Sequence, residues 1–140
     1  MNQTLSPSTA SGTPIRVFLV EDSQAVRELI IETLSDIAGL VFASFSETES
    51  DALLQLREQH YDVVIFDIEL RQGNGISLLR SLASITDQPF CLKIIFSNNG
   101  SSAYRRAGEQ YGVRHFFDKT SELPQLRALL EQVTQGATIS

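Results

Sequence analysis

Charged and hydroxyl side chains follow four short apolar runs of the sequence, at the point where each run ends. The residues are Glu21 and Asp22 after the first run, Asp67 after the third, Ser97 after the fourth and Lys119 after the fifth. Carboxylates held close together repel one another unless a cation intervenes. Mg²⁺ binds through one or two carboxylates together with phosphate and water, while hydroxyl and lysine groups suit phosphate oxygens. The pattern therefore predicts a Mg²⁺-dependent site for phosphoryl transfer.

The apolar runs are typical of buried strands, and they must lie side by side for these groups to meet. The segments between them carry apolar residues at helical spacing, as Val26, Leu29, Ile30, Leu34 and Ile37 do in the first. Strands that alternate with helices and are apolar throughout favour a parallel sheet covered on both faces. We predict strands at 15–20, 40–45, 61–66, 91–96 and 112–117.

Local signals predict where the helices begin and how firmly they form. Ser46 with Glu49 three residues later is typical of a capping box that starts the second helix. The fourth helix, over 101–110, has a thin apolar face, and Gly108 lowers its propensity. The last helix begins near Ser121 and has Pro124 in its first turn, where a missing N–H is harmless.

Composition excludes several classes of protein. The 140 residues suffice for one core, and the net charge of −6 argues against a protein that binds the nucleic-acid backbone. The sequence has no apolar run long enough to cross a bilayer and no secretory signal. Cys91 is the only cysteine, which fits a reducing cytoplasm and a small core residue. Residues 1–14, rich in Ser, Thr and Pro, are predicted to be a disordered tail.

Each candidate residue has an ordinary explanation when it is taken alone. Aspartate after a strand is common in turns, so Asp67 by itself indicates little. Glu21 and Asp22 before a helix suit capping and pairing with the helix dipole. Ser97 stands in a Ser-Asn-Asn-Gly run that is typical of a loop. Only the joint placement of these groups at four predicted strand ends favours a functional site over these explanations.

Together the residues resemble the receiver domains of bacterial two-component response regulators, of the single-domain chemotaxis type. The resemblance covers residues from Ile15 to Val133. It implies an α/β fold with a doubly wound, five-stranded parallel sheet in the flavodoxin-like order 2-1-3-4-5 and five helices. The expected organisation is a disordered tail at 1–14, a receiver domain at 15–135 and a C-terminal tail at 136–140.

The resemblance also implies a role for each residue of the predicted reaction. Asp67, after Val-Val-Ile-Phe, matches the position of the phospho-acceptor, and Lys119 matches the lysine that contacts the phosphoryl group. Glu21 and Asp22 match the acidic pair that holds Mg²⁺. Glu69 falls where the family supplies a metal ligand from a backbone carbonyl.

The expected switch consists of a hydroxyl and an aromatic ring. Ser97 matches the switch hydroxyl, and Phe116, three residues before the lysine, takes the place of the switch aromatic without the hydroxyl of a tyrosine. Three further residues depart from the family pattern, and one of them is Arg71, which stands where a proline often follows the acceptor loop. Thr120 stands where many relatives have proline, and Asn98 is larger than the usual Ala or Gly.

The implied function is phosphorelay signalling rather than enzymatic turnover. A sensor histidine kinase or a phosphotransfer protein would phosphorylate Asp67, slow self-dephosphorylation would follow, and affinity for an unidentified protein partner would change. We expect no direct contact with nucleic acid or membrane, and a cytoplasmic location. Two alternatives remain open from the residues. A phosphatase of the haloacid-dehalogenase type would have a second Asp where Glu69 stands. A flavodoxin-like FMN binder would need a Ser/Thr/Gly-rich phosphate loop directly after the first strand, where this sequence has Glu21 and Asp22.

Overall fold

Strand and helix alternate along the chain from Ile15 in the computed structural model. The structure describes residues 13–85, 91–98 and 100–136, so most of the predicted N-terminal tail (1–12) and of the C-terminal tail (137–140) lies outside the described residues. The elements are β1 Ile15–Val20, α1 Gln24–Leu34, β2 Leu40–Ser46, α2 Glu49–Glu58, β3 Val63–Phe66, α3 Gly75–Ala83, β4 Leu92–Ser97, α4 Ser102–Gln110, β5 His115–Asp118 and α5 Leu123–Thr134.

The strands form one parallel sheet in the order β2-β1-β3-β4-β5, which confirms the predicted topology. Every residue of β3 is buried, as expected of a central strand with helices on both faces of the sheet. The register places Val20 beside Phe66 and Phe66 beside Ile95. Because all the strands point the same way, the residues that follow them share one edge of the sheet.

Two apolar layers hold the helices against the sheet, and β1 contributes alternate residues to each. Val17 and Leu19 belong to one layer, and Phe18 and Val20 to the other, as the alternation of side chains along a strand requires. The first layer is completed by α1 and α5 through Ile30, Leu34, Leu126, Leu129 and Leu130. The second is completed by α2 and α3 through Ala52, Leu56, Leu78 and Leu79.

The predicted start of α2 is wrong by two residues, because the side chains of the expected capping box have other partners. Ser46 ends β2, and its hydroxyl donates to Asp51 Oδ2 at 2.6 Å. Thr48 is the N-cap, and its hydroxyl accepts from the backbone N–H of Asp51 at 3.2 Å. Glu49 reaches across to α3 instead, where its Oε2 accepts from the Ser77 hydroxyl at 2.6 Å.

Other boundaries shift by a few residues. α1 ends at Leu34, one turn before Ile37, which is nevertheless buried against the first layer. β5 begins at His115 because Gly112 turns the chain with a φ of 93°, a conformation that favours glycine. The longest described helix, α5, has 12 residues, and Pro124 lies in its first turn as predicted. None of the helices in the described ranges combines the length and apolar character needed to cross a membrane.

Cys91 directly precedes β4 and is partly buried against the second apolar layer. Burial raises the pKa of its thiol to about 11, although the nearby Lys93 opposes this effect. A pKa near 11 leaves about one thiol in a thousand ionised at pH 8. We therefore expect iodoacetamide to alkylate the folded protein at pH 8 roughly a hundredfold more slowly than the denatured protein, as measured by mass spectrometry. Equal rates would contradict this burial.

Candidate functional site

Backbone hydrogen bonds between the ends of neighbouring strands hold the predicted site residues beside one another. The N–H of Asp67 donates to the carbonyl of Val20, the last residue of β1, at 3.0 Å. The N–H of Lys119 donates to the carbonyl of Ser97, the last residue of β4, at 3.4 Å. The sheet therefore places the predicted acceptor next to Glu21 and Asp22, and Lys119 next to Ser97, the predicted switch hydroxyl.

Three carboxylates form an acidic cluster at this edge. Glu21, Asp22 and Asp67 each offer an oxygen, and these oxygens lie within 4.8 Å of one another. Glu21 is only 3% exposed and Asp67 6%, while Asp22 is partly exposed. Burial raises the pKa of the Glu21 carboxyl, against the opposing hydrogen bonds from Lys119 and from the N–H of Ser23. A compact set of hard oxygen donors, one of them open to solvent, fits Mg²⁺ with water in its remaining positions.

Lys119 lies between two of these carboxylates. Its Nζ is 2.6 Å from Asp67 Oδ2 and 2.8 Å from Glu21 Oε1. Burial alone would lower the pKa of this ammonium group, but the hydrogen bonds to Asp67 and Glu21 outweigh that effect and the pKa is raised. The other oxygen of Asp67, Oδ1, accepts from the N–H of Ile68 at 2.7 Å. The ammonium group therefore stays charged and offsets part of the negative charge of the cluster.

The acidic pair does not cap α1. Ser23 is the N-cap, and its hydroxyl accepts from the N–H of Val26 at 3.2 Å. Glu21 Oε2 accepts from the N–H of Ser23 at 3.1 Å, which orients its carboxylate at the start of the helix. The ordinary explanation of Glu21 and Asp22 as capping residues therefore loses its main support.

The turn after β5 is held by side-chain hydrogen bonds to Asp118. Asp118 Oδ2 accepts from the N–H of Thr120 at 3.1 Å, from the Ser121 hydroxyl at 2.9 Å and from the Thr120 hydroxyl. The hydroxyls of Thr120 and then Ser121 lower the pKa of this carboxyl. The N–H of Asp118 donates to Glu122 Oε1 at 2.8 Å. These bonds, two of them made by Thr120, hold the turn that carries Lys119.

The predicted switch residues line one cavity. Ser97, which is 5% exposed, and the partly buried Phe116 both border a space of about 250 Å³ between β4, β5 and α4. Arg105 of α4 lines the same space, and its Cζ lies 5.1 Å from the centre of the Phe116 ring. The hydroxyl and the ring thus lie around a common volume into which either could move.

Gly108 of α4 makes room for that ring. A Cβ at position 108 would lie 2.5 Å from Cζ of Phe116 and 3.2 Å from Cδ1 of Ile95, distances that require one neighbour to move. The sequence signals only a loss of helix propensity at this glycine. Its closeness to Phe116 depends on the tertiary packing of α4 on β5. Because Gly108 has no side chain, α4 packs directly on the ring of Phe116, the predicted switch aromatic.

Glu69 differs from the other candidates in its placement. Its side chain is exposed and does not belong to the acidic cluster of the described residues. Its backbone pairs with that of Asn74 in an isolated antiparallel bridge, which brings the two sides of the loop between β3 and α3 together. Gly75 is the first residue of α3, and a Cβ there would lie 2.4 Å from the carbonyl oxygen of Asp67. That the backbone carbonyl of Glu69 binds a metal ion stays a prediction.

Arg27 is not among the site residues predicted from the sequence, yet it lies directly beside them. It is 7% exposed, and its Nη1 donates to the backbone carbonyl of Glu21 at 2.8 Å. A signal for it does exist in the sequence. Arg27 shares the buried face of α1 with Ile30 and Leu34, three and seven residues later, so a charged residue interrupts an apolar stripe.

Comparison with known proteins gives a family match and many structural neighbours. The chain matches the family profile described as response regulator receiver domain over residues 17–131. It is 30% identical over 110 residues to protein-glutamate methylesterase/protein-glutamine glutaminase 5 of Myxococcus xanthus, covering 79% of this chain and 31% of that protein. The chain thus spans about a third of the length of this curated relative.

Two solved structures show the same fold. The signal receiver domain of the response regulator NarL from Mycobacterium tuberculosis has a TM-score of 0.76 at 18% identity, covering 89% of this chain and 98% of that one. The Salmonella typhimurium response regulator RcsB, solved in work on its interaction with DNA, has a TM-score of 0.75 at 18% identity, covering 91% and 63%.

These findings agree with the order of the strands and with the residues at their ends. They give no support to the haloacid-dehalogenase or flavodoxin-like alternatives, because the matched family is a signalling family. The match begins within β1 and ends within α5, so it includes most of β1 and the whole of the other strands. The chain belongs to the response regulator receiver domain family and functions in phosphorelay signal transduction.

Proposed function

We propose that Asp67 is the residue that accepts the phosphoryl group, with Mg²⁺ held by Glu21, Asp22, Asp67 and the backbone carbonyl of Glu69. The observation that carries this proposal is the contact of the Asp67 carboxylate with Lys119 at 2.6 Å, within a cluster of three carboxylates. Such a cluster brings together a nucleophile, a fixed positive charge and ligands for a hard cation.

The transfer requires few protein groups. A carboxylate oxygen of Asp67 attacks phosphorus, the new O–P bond forms as the bond to the donor breaks, and the leaving group departs with the electron pair. Mg²⁺, when bound, supplies positive charge for the phosphoryl oxygens. The ammonium group of Lys119 lies 2.6 Å from Oδ2 of Asp67, so it can neutralise charge on the transferred group without a large movement.

We infer that the donor is a sensor histidine kinase or a phosphotransfer protein, and that the reader of the phosphorylated state is a protein. Ser97 would turn toward the phosphoryl oxygens and Phe116 into the adjoining cavity, which the two residues already share. The net charge of −6 supports protein partners rather than direct binding to nucleic acid by this chain.

The proposed receiver domain extends over 15–135, and its elements run from Ile15 to Thr134. We expect it to carry a phosphoryl group with slow self-dephosphorylation rather than to turn over a substrate. The methylesterase and glutaminase activities named for its curated relative belong to a protein of which the matched part is 31%. We place the chain in the cytoplasm because ATP, the source of the phosphoryl group for histidine kinases, is found there.

Incubation with acetyl phosphate and Mg²⁺, followed by intact-mass measurement, tests the proposed function. We expect the mass of one phosphoryl group to be added, and to be lost slowly after the donor is removed. The same incubation with a chelator in place of Mg²⁺ is the control and should give no addition. Rapid release of phosphate without an adduct would indicate a hydrolase, and no reaction with Mg²⁺ present would overturn the proposal.

A further inference from the structure

Arg27 is the buried charged residue of α1 that touches the acidic pair through the backbone. Its Nη1 donates to the carbonyl oxygen of Glu21 at 2.8 Å, and its side chain is 9% exposed. Charged side chains are rarely buried to this extent unless they are paired. The bonded carbonyl belongs to the peptide group that joins Glu21 to Asp22, so the guanidinium group restrains the turn from which both carboxylates project.

Glu47 holds Arg27 in place from the other side. Its Oε2 lies 3.0 Å from Nη1 of Arg27, and its Oε1 lies 3.0 Å from Nη1 of Arg71. Arg71 belongs to the loop that follows the acceptor Asp67. One carboxylate between β2 and α2 therefore connects the turn after β1 with the loop after β3, the two segments that carry the proposed metal ligands.

Phe45 limits the remaining freedom of the guanidinium group. The Cζ of Arg27 lies 4.2 Å from the centre of the Phe45 ring, within the range of a cation–π contact. Phe45 is 48% exposed whereas the Arg27 side chain is only 9% exposed, so the ring packs on a guanidinium group that is itself largely shielded from solvent. The carbonyl of Glu21, the carboxylate of Glu47 and the ring of Phe45 together restrict the guanidinium group to one orientation.

We propose that Arg27 is a positioning residue for metal binding, which holds the Glu21–Asp22 turn in the geometry that Mg²⁺ requires. This inference rests on the proposed function. Mg²⁺ demands near-ideal geometry of its ligands, and loss of the groups that orient metal ligands typically weakens binding about 10- to 100-fold. Arg27 needs no contact with the ion to have this effect, because it acts through the peptide group between two of the ligands.

The sign of the effect separates positioning from simple electrostatics. Arg27 carries a positive charge close to a cation site, so an effect of charge alone would make Mg²⁺ bind more tightly when the charge is removed. Loss of positioning makes Mg²⁺ bind more weakly. A structural role limited to folding would lower thermal stability and leave the Kd for Mg²⁺ of the folded protein unchanged.

The test is a Mg²⁺ titration of the unphosphorylated protein by NMR of its backbone amides, well below the unfolding temperature. We expect Arg27→Met to raise the Kd about 10-fold. Arg27→Lys, which keeps the charge without the planar fork, should raise it less and serves as the second variant if Arg27→Met does not fold. An unchanged or lower Kd in the folded variants would overturn the inference.

Arg127→Met is the matched control. Like Arg27, Arg127 binds one backbone carbonyl and one carboxylate. Its Nη1 lies 2.6 Å from the carbonyl oxygen of Thr33 and 2.7 Å from Asp36 Oδ1. Both partners lie near the C-terminal end of α1, whereas the site lies at its N-terminal end. Its replacement should leave the Kd unchanged. A rise in Kd equal to that of Arg27→Met would mean that the effect is not specific to the turn, and would also overturn the inference.

A double variant tests the link through Glu47. If Glu47 acts by holding Arg27, Arg27→Met/Glu47→Gln should bind Mg²⁺ no more weakly than Arg27→Met alone. If the two changes act only through charge, their effects should be opposite in sign and should add, which would count against positioning. Absence of Mg²⁺ binding in the unaltered protein would instead contradict the proposed function itself, so the two failures are distinguishable.

Discussion

Replacing Asp67 with asparagine is expected to abolish phosphorylation of the protein by acetyl phosphate and Mg²⁺. An amide has no carboxylate oxygen with which to attack phosphorus, and it offers the metal a weaker ligand. The fold should survive, because the amide oxygen of the new side chain can still accept the 2.7 Å hydrogen bond from the N–H of Ile68, and Glu21 still pairs with Lys119 at 2.8 Å. Intact-mass measurement should show full addition to the unaltered protein and none to Asp67→Asn.

Asp62→Asn provides the matched control at the other end of the same strand. Asp62 directly precedes β3, and its Oδ2 accepts from the N–H of Arg16 at 2.8 Å, far from the acidic cluster. This variant should be phosphorylated to the same extent as the unaltered protein. Phosphoryl addition to a folded Asp67→Asn variant would show that another residue is the acceptor.

Replacing Lys119 with methionine is expected to destabilise the protein strongly when Mg²⁺ is absent. The ammonium group lies between Glu21 and Asp67, whose side chains are only 4% and 8% exposed. Removing one partner from a buried ion pair costs on the order of 3 kcal/mol, since the remaining charges stay buried and unpaired. We expect a loss of about this size in the free energy of unfolding, measured by urea denaturation with a chelator present.

Mg²⁺ should restore part of the stability that Lys119→Met removes. A ligand that binds only the folded state stabilises it by about 2.7 kcal/mol at a hundredfold excess over Kd. At the same Mg²⁺ concentration, the increase in the free energy of unfolding should be larger for Lys119→Met than for the unaltered protein. The reason is that the ammonium group no longer competes with the ion for the carboxylates, so the Kd for Mg²⁺ falls. Phosphorylation should nevertheless remain impaired, since the phosphoryl oxygens lose their lysine contact.

Lys93→Met controls for the loss of a lysine as such. Lys93 lies near the start of β4, at the opposite edge of the sheet, and no ion pair of Lys93 is seen among the described residues. Its replacement should change stability little and should leave the Mg²⁺ effect unaltered. The proposed role of the Lys119 ammonium group would be contradicted by equal losses in the free energy of unfolding for Lys93→Met and Lys119→Met. It would also be contradicted if Mg²⁺ stabilised Lys119→Met no more than the unaltered protein.

Local patterns could predict the parallel sheet and the acidic residues at its strand ends, whereas the order of the strands was implied by the resemblance to receiver domains. Continuous apolar runs predict central strands, and parallel strands place their carboxyl ends on one edge. Glu21, Asp22 and Asp67 follow such runs directly, so a few residues of error in the strand starts did not displace them. Their assembly within 4.8 Å needed only the order of the strands.

The remaining features depend on distances between segments that are far apart in the chain. Glu49 fits a capping box by spacing, but its carboxylate binds the Ser77 hydroxyl, 28 positions later. Helical spacing marks Arg27 as a charge within an apolar stripe, but it does not identify Glu47 as the partner of Arg27. In the sequence, Gly108 indicates only a weakened helix. The Phe116 ring, which packs where a side chain at position 108 would lie, belongs to β5. Spacing along one element carries no information on such partners.

The close packing of the Phe116 ring against Gly108 ties the position of the ring to the position of α4. The helix contributes no side chain at this point, so the ring itself fills the space, with a hypothetical Cβ only 2.5 Å from its Cζ. Withdrawing the ring while α4 stayed in place would leave a void, which costs about 24 cal/mol for each Å³. If Phe116 moves as proposed, we therefore expect α4 to follow it. In that case, a protein docked on the outside of α4 would respond to the proposed phosphorylation of Asp67 without touching the site or the ring.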